Sequence, residues 1–293
     1  MTAQSFPHST AHSRSLAIDA VAQTDEFTVE DLKDLVAYPS EATWGLTLGA
    51  EGTAQFAFHI DPAGELPRTR VLARRAAQAW NALFIAASYE EGQNLLFEFD
   101  DGTVPGISTS LTDYTYLGPW LSAYWWARIS HNRSAQEVLA PFTIDILTRG
   151  DGHFDSHLVH LAAALQARDA GDPAWTQHAL AGAQAVTHAT NTPHDEALLL
   201  HLDLFALLLS IGDHTEFTTQ LTQSLNNHRT YFTATPEIAE HNRGYISIPL
   251  LAICSIAIDE GMPLDITNDY LPRYLLDHPD WMFTTHAGDD SLT

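Results

Sequence analysis

The stretch from residue 193 to residue 213, PHDEALLLHLDLFALLLSIGD, is apolar nearly all round before it reaches Gly212. A helix without a polar face has to be covered on every side, so the rest of the chain must supply a shell around it. Other stretches have the length and punctuation for that shell. After Pro67, RTRVLARRAAQAWNALFIAASYEEG runs without a breaker to Gly92, and Val71, Ala79, Leu83 and Ala86 suit a long amphipathic helix. FDSHLVHLAAALQARDAGD offers Asp155 as N-cap and Gly171 as stop, with Leu158, Leu161 and Leu165 on one face. GPWLSAYWWARIS follows the helix-starting pattern of Pro119. In FTVEDLKDLVAY, Thr28 is placed as N-cap with Asp31 three residues on, as in a capping box. TEFTTQLTQSLNNHRTYF and RGYISIPLLAICSIAIDEG complete the series, the last read as a helix from near Arg243 to Glu260. These patterns predict an all-α fold, a compact domain of about nine to twelve helices. One stretch departs from it. In QNLLFEFDDGTVPGIS, Leu96, Glu98 and Asp100 alternate with Phe97 and Phe99 before an Asp-Gly turn, which predicts a small β-hairpin near residues 95–106. No linker rich in Pro, Gly or Ser divides the chain, so residues 1–293 are expected to form a single helical domain, with 1–13 and 285–293 disordered.

With 293 residues, 45% of them hydrophobic, the chain can bury a sizeable core. No apolar run reaches membrane-spanning length, and the opening MTAQSFPHSTAHSRS lacks the apolar region of a secretory signal, so a cytoplasmic protein is expected. The single cysteine, Cys254, lies in the run IPLLAICSIAI and reads as a buried small hydrophobe. The formal charge of −24 arises from a lack of base more than an excess of acid. Lys33 is the only lysine, and no Lys or Arg falls between Arg75 and Arg128, a span holding Glu90, Glu91, Glu98, Asp100, Asp101 and Asp113. Such a surface repels phosphate backbones, which argues against a direct nucleic-acid ligand, and steers the chain onto a basic partner. The 16 histidines are expected to weaken that attraction as the pH falls below about 6.5.

Four acids crowd the segment IDEGMPLDITNDYLPRYLLD: Asp259, Glu260, Asp265 and Asp269. Gly261 and Pro263 mark a helix end there, which puts Asp259 and Glu260 at the negative end of a helix dipole. The spacing does not match a calcium loop, and a structural pairing of Asp259 with Arg243, Arg273 or loop amides is expected, with Asp269 as N-cap of the next turn. His153, His157 and His160 lack zinc-site spacing, so neither metal nor cofactor is expected. Tyr114, Tyr116, Trp120, Tyr124, Trp125 and Trp126 suit either a core or a sugar-binding groove. Residue chemistry alone names no enzyme.

The segment HRTYFTATPEIAEHNRGYISIPLLAICSIAIDEGMPLDITNDYLPRYLLDHPDWMF has an His-x-x-Tyr helix, an apolar helix closing in a D-x-G-M-P turn, and a Y-L-P-x-x-L-L helix. In that order it resembles the end of the bacterial Immunity protein 49 family. A looser likeness extends upstream through FDSHLVHLAAALQ and WLSAYWWA to about residue 70. The resemblance implies an all-α cytoplasmic antidote of a polymorphic toxin system, which binds a cognate toxin domain and is not an enzyme. It also implies that Asp259, Gly261, Pro263, Tyr270, Leu271 and Pro272 hold a structural corner. The base-free stretch around Glu90, Glu91, Glu98, Asp100 and Asp101 is the expected partner-binding face, because a hairpin tip protrudes, and a nuclease would offer it a basic cleft. The rival expectation is a helical glycan-acting or metal-dependent hydrolase using the acidic and Trp/Tyr clusters. For glycoside chemistry it needs two carboxylates facing each other across a concave pocket, about 5–10 Å apart.

Overall fold

Each helical pattern closes its own backbone hydrogen bonds and leaves an apolar stripe, and the fold is the arrangement that brings those stripes together. A computed structural model describes residues 11–149, 154–189, 196–284 and 292. Helices α1 (Ala11–Asp34), α2 (Pro39–Ile60) and α3 (Pro67–Ala87) pack in succession. The hairpin β1 (Asn94–Phe99) and β2 (Gly102–Ile107) lies on α3, and α4 (Leu117–Ile129) follows with the short α5 (Arg133–Leu139) and α6 (Ile144–Leu147). A second run of neighbours comprises α7 (Ser156–Asp169), α8 (Trp175–Ala189), α9 (Glu196–Ser210) and α10 (His214–Phe232). One turn each of α11 (Pro236–Ala239) and 3₁₀ helix (Asn242–Gly244) leads to α12 (Ile248–Asp259), then α13 (Arg273–Asp277) and a 3₁₀ turn at Trp281–Phe283. The expected all-α fold with one small hairpin is what the chain adopts: nine helices of at least twelve residues, four shorter ones, and a two-stranded antiparallel sheet among the described residues.

The apolar α12 is the axis where the two runs meet, packing against α4 on one side and α9 on the other. Leu250 to Ala257 are all buried, Cys254 among them. In α9, Leu204, Phe205, Leu207 and Leu208 are buried, as its unbroken apolarity required. In the hairpin, Phe97 and Phe99 face the core while Leu96 and Glu98 face water. Its loop is Asp100-Asp101, closed by the Phe99–Gly102 pair, so the turn sits one residue before the expected Asp-Gly. Asp100 takes the positive φ of +52°, which an aspartate tolerates.

Three expectations are corrected. Thr28 is no N-cap: nothing breaks the helix between residues 11 and 34, and its hydroxyl donates to the Thr24 carbonyl inside α1. The same helix begins at Ala11, inside the segment expected to be disordered. The helix read from Arg243 begins instead at Ile248, with Pro249 in its first turn, where proline lacks no needed donor. Helix α2 had no counterpart in the reading of the sequence.

Three helices end in one hydrogen-bond pattern. At the end of α12 the Gly261 N–H donates to the Ile258 carbonyl at 2.8 Å and the Met262 N–H to Ala257 at 3.0 Å. Gly261 takes φ +81°, and Gly171 plays the same part after α7. After α4 the position belongs to His131, a non-glycine residue at φ +48°. Its ring is held by the Ser255 hydroxyl and the Asp259 carboxylate, each at 3.1 Å, so the end of α4 is fastened to the last turn of α12.

Two glycine substitutions should therefore differ in cost. Gly261→Ala meets open space and strains only the backbone, costing about 1 kcal/mol. Gly182→Ala would put a methyl 2.3 Å from the Phe205 ring where α8 crosses α9, costing about 2–3 kcal/mol. Denaturant midpoints of the two variants check the order; equal costs would mean that the α8–α9 contact is loose.

Candidate functional site: a central cleft and an acidic hairpin

Between α2, α3 and α4 on one side and α9, α10 and the start of α12 on the other lies a cleft of about 720 Å³. Helix α2 presents Trp44, Leu48, Glu51 and Gln55 to it at four-, three- and four-residue steps, the spacing of one helix face. Trp80, Tyr116 and Trp125 add aromatic surface, and Asp203, His201 and His228 come from the opposite wall.

Glu51 is the best-fixed polar group of the cleft. Its Oε2 accepts the indole N–H of Trp80 at 2.5 Å and of Trp126 at 3.1 Å, and its Oε1 accepts Gln55 Nε2 at 3.1 Å. One carboxylate thus joins α2, α3 and α4. It is partly buried, with part of its surface open to the cleft. Burial raises its pKa, and the three donors together with the charge of Arg243 oppose that rise. Asp203 is raised by burial too, and both its oxygens accept the Asn227 amide, at 3.1 and 2.9 Å. Neither carboxylate has a cation within ion-pair distance among the described residues.

The histidines of this wall are held neutral. Burial lowers His228 to about 4 against the support of the Gly244 backbone, and its Nε2 is buried with no hydrogen-bond partner. Burial and the neighbouring His157 lower His201 to about 4, the two rings meeting at 3.0 Å. His157 and His160 are lowered by burial as well, which removes them from the group expected to gain charge near pH 6.5. His153 lies outside the described residues. Among the described residues, no group of three or more His, Cys, Asp or Glu side chains is placed to hold a metal ion.

Of the six aromatics proposed for a groove, Tyr116 and Trp125 line the cleft, Tyr114 stacks on Trp44, and Trp120, Tyr124 and Trp126 are buried in the core. Burial pushes the Cys254 thiol up, away from nucleophilic chemistry.

The hairpin acids stand elsewhere, and space supplies the bases that the local sequence lacks. Arg75 on α3 grips Asp100 through two bonds, at 2.7 and 2.8 Å, and also pairs with Asp25 of α1; Arg74 bonds Asp101 at 2.8 Å. Burial alone would lower the Arg75 guanidinium, but Asp100 and Asp25 outweigh it and raise it. Asp100 and Asp101 are thus struts between hairpin and helix; Glu98 stays exposed near that loop, and Glu90 and Glu91 stay exposed at the opposite, open end of the hairpin.

Of the six residues expected at one corner, Asp259, Gly261 and Pro263 lie at the end of α12, while Tyr270 bonds its opposite end. Asp259 pairs with His131 rather than with Arg243 or Arg273, because the C-terminus of α4 ends beside it. Glu260 bonds Arg168 at 2.6 Å. Tyr270 and Leu271 are buried, the Tyr270 carbonyl accepts the Ser247 N–H at the head of α12, and Pro272 is the N-cap residue of α13.

A sequence profile described as Immunity protein 49 matches residues 61–275, from the end of α2 into α13. The chain belongs to the Immunity protein 49 family. The match takes in the hairpin, the corner and both runs of helices except α1 and α2, so the family segment carries most of the scaffold while Glu51 and Trp44 lie before it. No curated protein and no solved structure matches the chain. Among the described residues no helix is long and apolar enough to cross a membrane.

Sequence reasoning missed the cleft because Glu51 is a lone acid in GLTLGAEGTAQ. Its signal was the polar face at helical spacing on a helix of small residues.

The lowered histidines give a prediction with a definite sign. A histidine kept neutral by burial contributes stability in full above about pH 6.5, and that contribution is lost as the pH falls toward 4, where the folded ring takes its proton. In two-dimensional NMR of the imidazole protons, His201 and His228 should stay unshifted from pH 7 to pH 5 and move only near 4. Ordinary titration near 6.5 in both would show the cleft wall open to water.

Proposed function

We propose that this chain is an antidote that binds and neutralises a cognate toxin domain in the cytoplasm, acting by occupancy rather than by catalysis. The observation that carries the reading is the family match over residues 61–275. Its charge supports the mode of binding. Nine of the twelve arginines bond to carboxylates or backbone carbonyls of the chain itself, Arg68, Arg74, Arg75, Arg128, Arg168 and Arg273 in ion pairs and Arg14, Arg70 and Arg149 on carbonyls. The scarce bases are spent as internal struts, so acid dominates the outward field. A toxin with a basic cleft is the complementary partner, and nucleases have such clefts because they hold phosphate. The contact face in this reading includes Glu98 on the hairpin, which Asp100 and Asp101 fix to α3, and Glu90 and Glu91 in the loop that leads into it.

The test is co-expression with the C-terminal domain of the neighbouring large reading frame, scoring survival and co-purification. Rescue with a stable complex supports the reading, and toxicity without a complex removes it. Replacing Glu90, Glu91 and Glu98 together by Lys should slow association about tenfold at low salt and much less at 0.5 M, since screening shortens the reach of exposed charge to a few ångströms. Unchanged association at low salt would move the contact face elsewhere. Asp100→Lys is the poorer probe, because it strands Arg75 and disturbs the hairpin.

The hydrolase reading is favoured by one observation, that Glu51 and Asp203 line the same concave cleft with tryptophans. Against it, the oxygens of both acids are already engaged by donors of the fold. Turnover of any glycan by the purified chain, abolished in Glu51→Gln, would reinstate it.

A further inference from the structure

We propose that the central cleft is a binding site for an organic cation, a guanidinium or ammonium group carried on a short apolar stem. The inference does not depend on the antidote reading. Three observations converge. Two carboxylates, Glu51 and Asp203, border one cavity without a cation in contact, and burial has raised both, so a bound cation would relieve a cost already present in the fold. Independently of these acids, His228 is only 5% exposed, is held neutral, lines the same cavity, and keeps Nε2 without any partner. The ring bond that supports its protonated form goes to the Gly244 backbone, so Nε2 of the neutral ring is an unused acceptor, and a ligand reaches it only if the Phe232 and Tyr270 rings packed on His228 give way. Finally, Trp44, Trp80 and Trp125 line the cleft, and indole is the strongest aromatic partner for a cation.

The balance of donors and acceptors selects the ligand class. The donors beside the acids are spent within the fold: the Trp80 and Trp126 indoles and the Gln55 amide on Glu51, the Asn227 amide on Asp203, and the Ser224 hydroxyl on the Gln220 carbonyl. Beside the two acids, what remains is acceptor capacity and negative charge; the donors of Ser122, Tyr231 and Arg243 lie elsewhere in the lining. A sugar hydroxyl would leave the charge of the two acids unanswered; a guanidinium only donates and carries the complementary charge. Arg243, itself a lining residue, acts on Glu51 through its charge without ion-pair contact, so a guanidinium is compatible with this field.

The cation can arrive as a free small molecule or as an arginine or lysine side chain of a protein partner, and two arms of one experiment separate these. In the first, isothermal titration of the full chain uses agmatine and choline as probes and N-butylurea as a neutral control. Agmatine should bind one-to-one with Kd below about 1 mM, and at least about tenfold tighter than N-butylurea. Because that comparison uses the unaltered chain, it stands even if a variant fails to fold. Glu51→Gln and Asp203→Asn, each checked for an unchanged circular dichroism spectrum, should each weaken agmatine about tenfold. In the second arm, Asp203→Asn is tested for toxin affinity: a loss parallel to that of agmatine assigns the cation to a partner's side chain, and an unchanged affinity assigns it to a free molecule. The proposal is overturned if no cation binds saturably, if N-butylurea binds as well as agmatine, or if both carboxylate variants bind agmatine as the unaltered chain does. Loss of cation binding with full toxin rescue would sink this inference and leave the antidote reading standing.

Discussion

The carboxylate of Glu51, gripped by indoles from two other helices, fixes the geometry around which the first half of the chain is built. Indole N–H groups that are buried need acceptors, and an apolar packing of Trp80 and Trp126 would have left both without one. The acid supplies that acceptor at a desolvation cost, and a purely apolar alternative of the same volume would be no less stable. What the acid adds is register. With one carboxylate shared, α2, α3 and α4 cannot slide past one another without stranding a donor, and the aromatic wall of the cleft is set by the same constraint.

The second constraint is the use of charge. A chain with so few bases is free to let them wander on the surface, where exposed pairs contribute little. Here most of them are half-buried and engaged: Arg75 joins α1, α3 and the hairpin, Arg128 reaches Asp169 of α7, and Arg168 reaches Glu260 at the end of α12. Each links elements that are distant in sequence. The architecture and the outward acidity therefore have one cause, since every arginine turned inward leaves acids elsewhere without a surface counterion.

Much of this fold was legible in the residues. Pro67 opened α3, Gly171 and Gly261 closed α7 and α12, and the alternation of Phe97 and Phe99 against Glu98 located the hairpin, because these signals act through the local backbone. The failures have local causes as well. Thr28 looks like a cap only when no helix precedes it, and a polar first turn gave no hint that α1 begins near residue 11. What the residues could not display were partnerships across long separations. Asp100 and Asp101 read as free acids because Arg74 and Arg75 lie on another element. The sequence offers arginines as partners for Asp259, but the neighbour that reaches it is His131 of the α4 terminus, in a left-handed conformation that local sequence does not single out. The cleft was invisible for the same reason: Glu51 and Asp203 are over a hundred and fifty residues apart, and only packing puts them on one cavity.

Surface and interior acids in this chain act over different ranges. Glu90, Glu91 and Glu98 sit in water, where salt reduces their influence within roughly 10 Å, so they can speed an encounter but hold a partner only weakly. Glu51 and Asp203 sit where water is sparse and screening is slight, so their influence is confined to what enters the cleft and is stronger there. A partner drawn in by the first group would meet the second only by inserting a side chain, and the acceptors at the cleft wall would then discriminate among those side chains by charge. In the proposed reading, long-range attraction and short-range selection would fall to separate residues, on the hairpin with the loop before it for the one and on α2 with α9 for the other. Substituting either set leaves the other in place, because Glu90, Glu91 and Glu98 stand on the hairpin and the loop before it while Glu51 and Asp203 stand on α2 and α9.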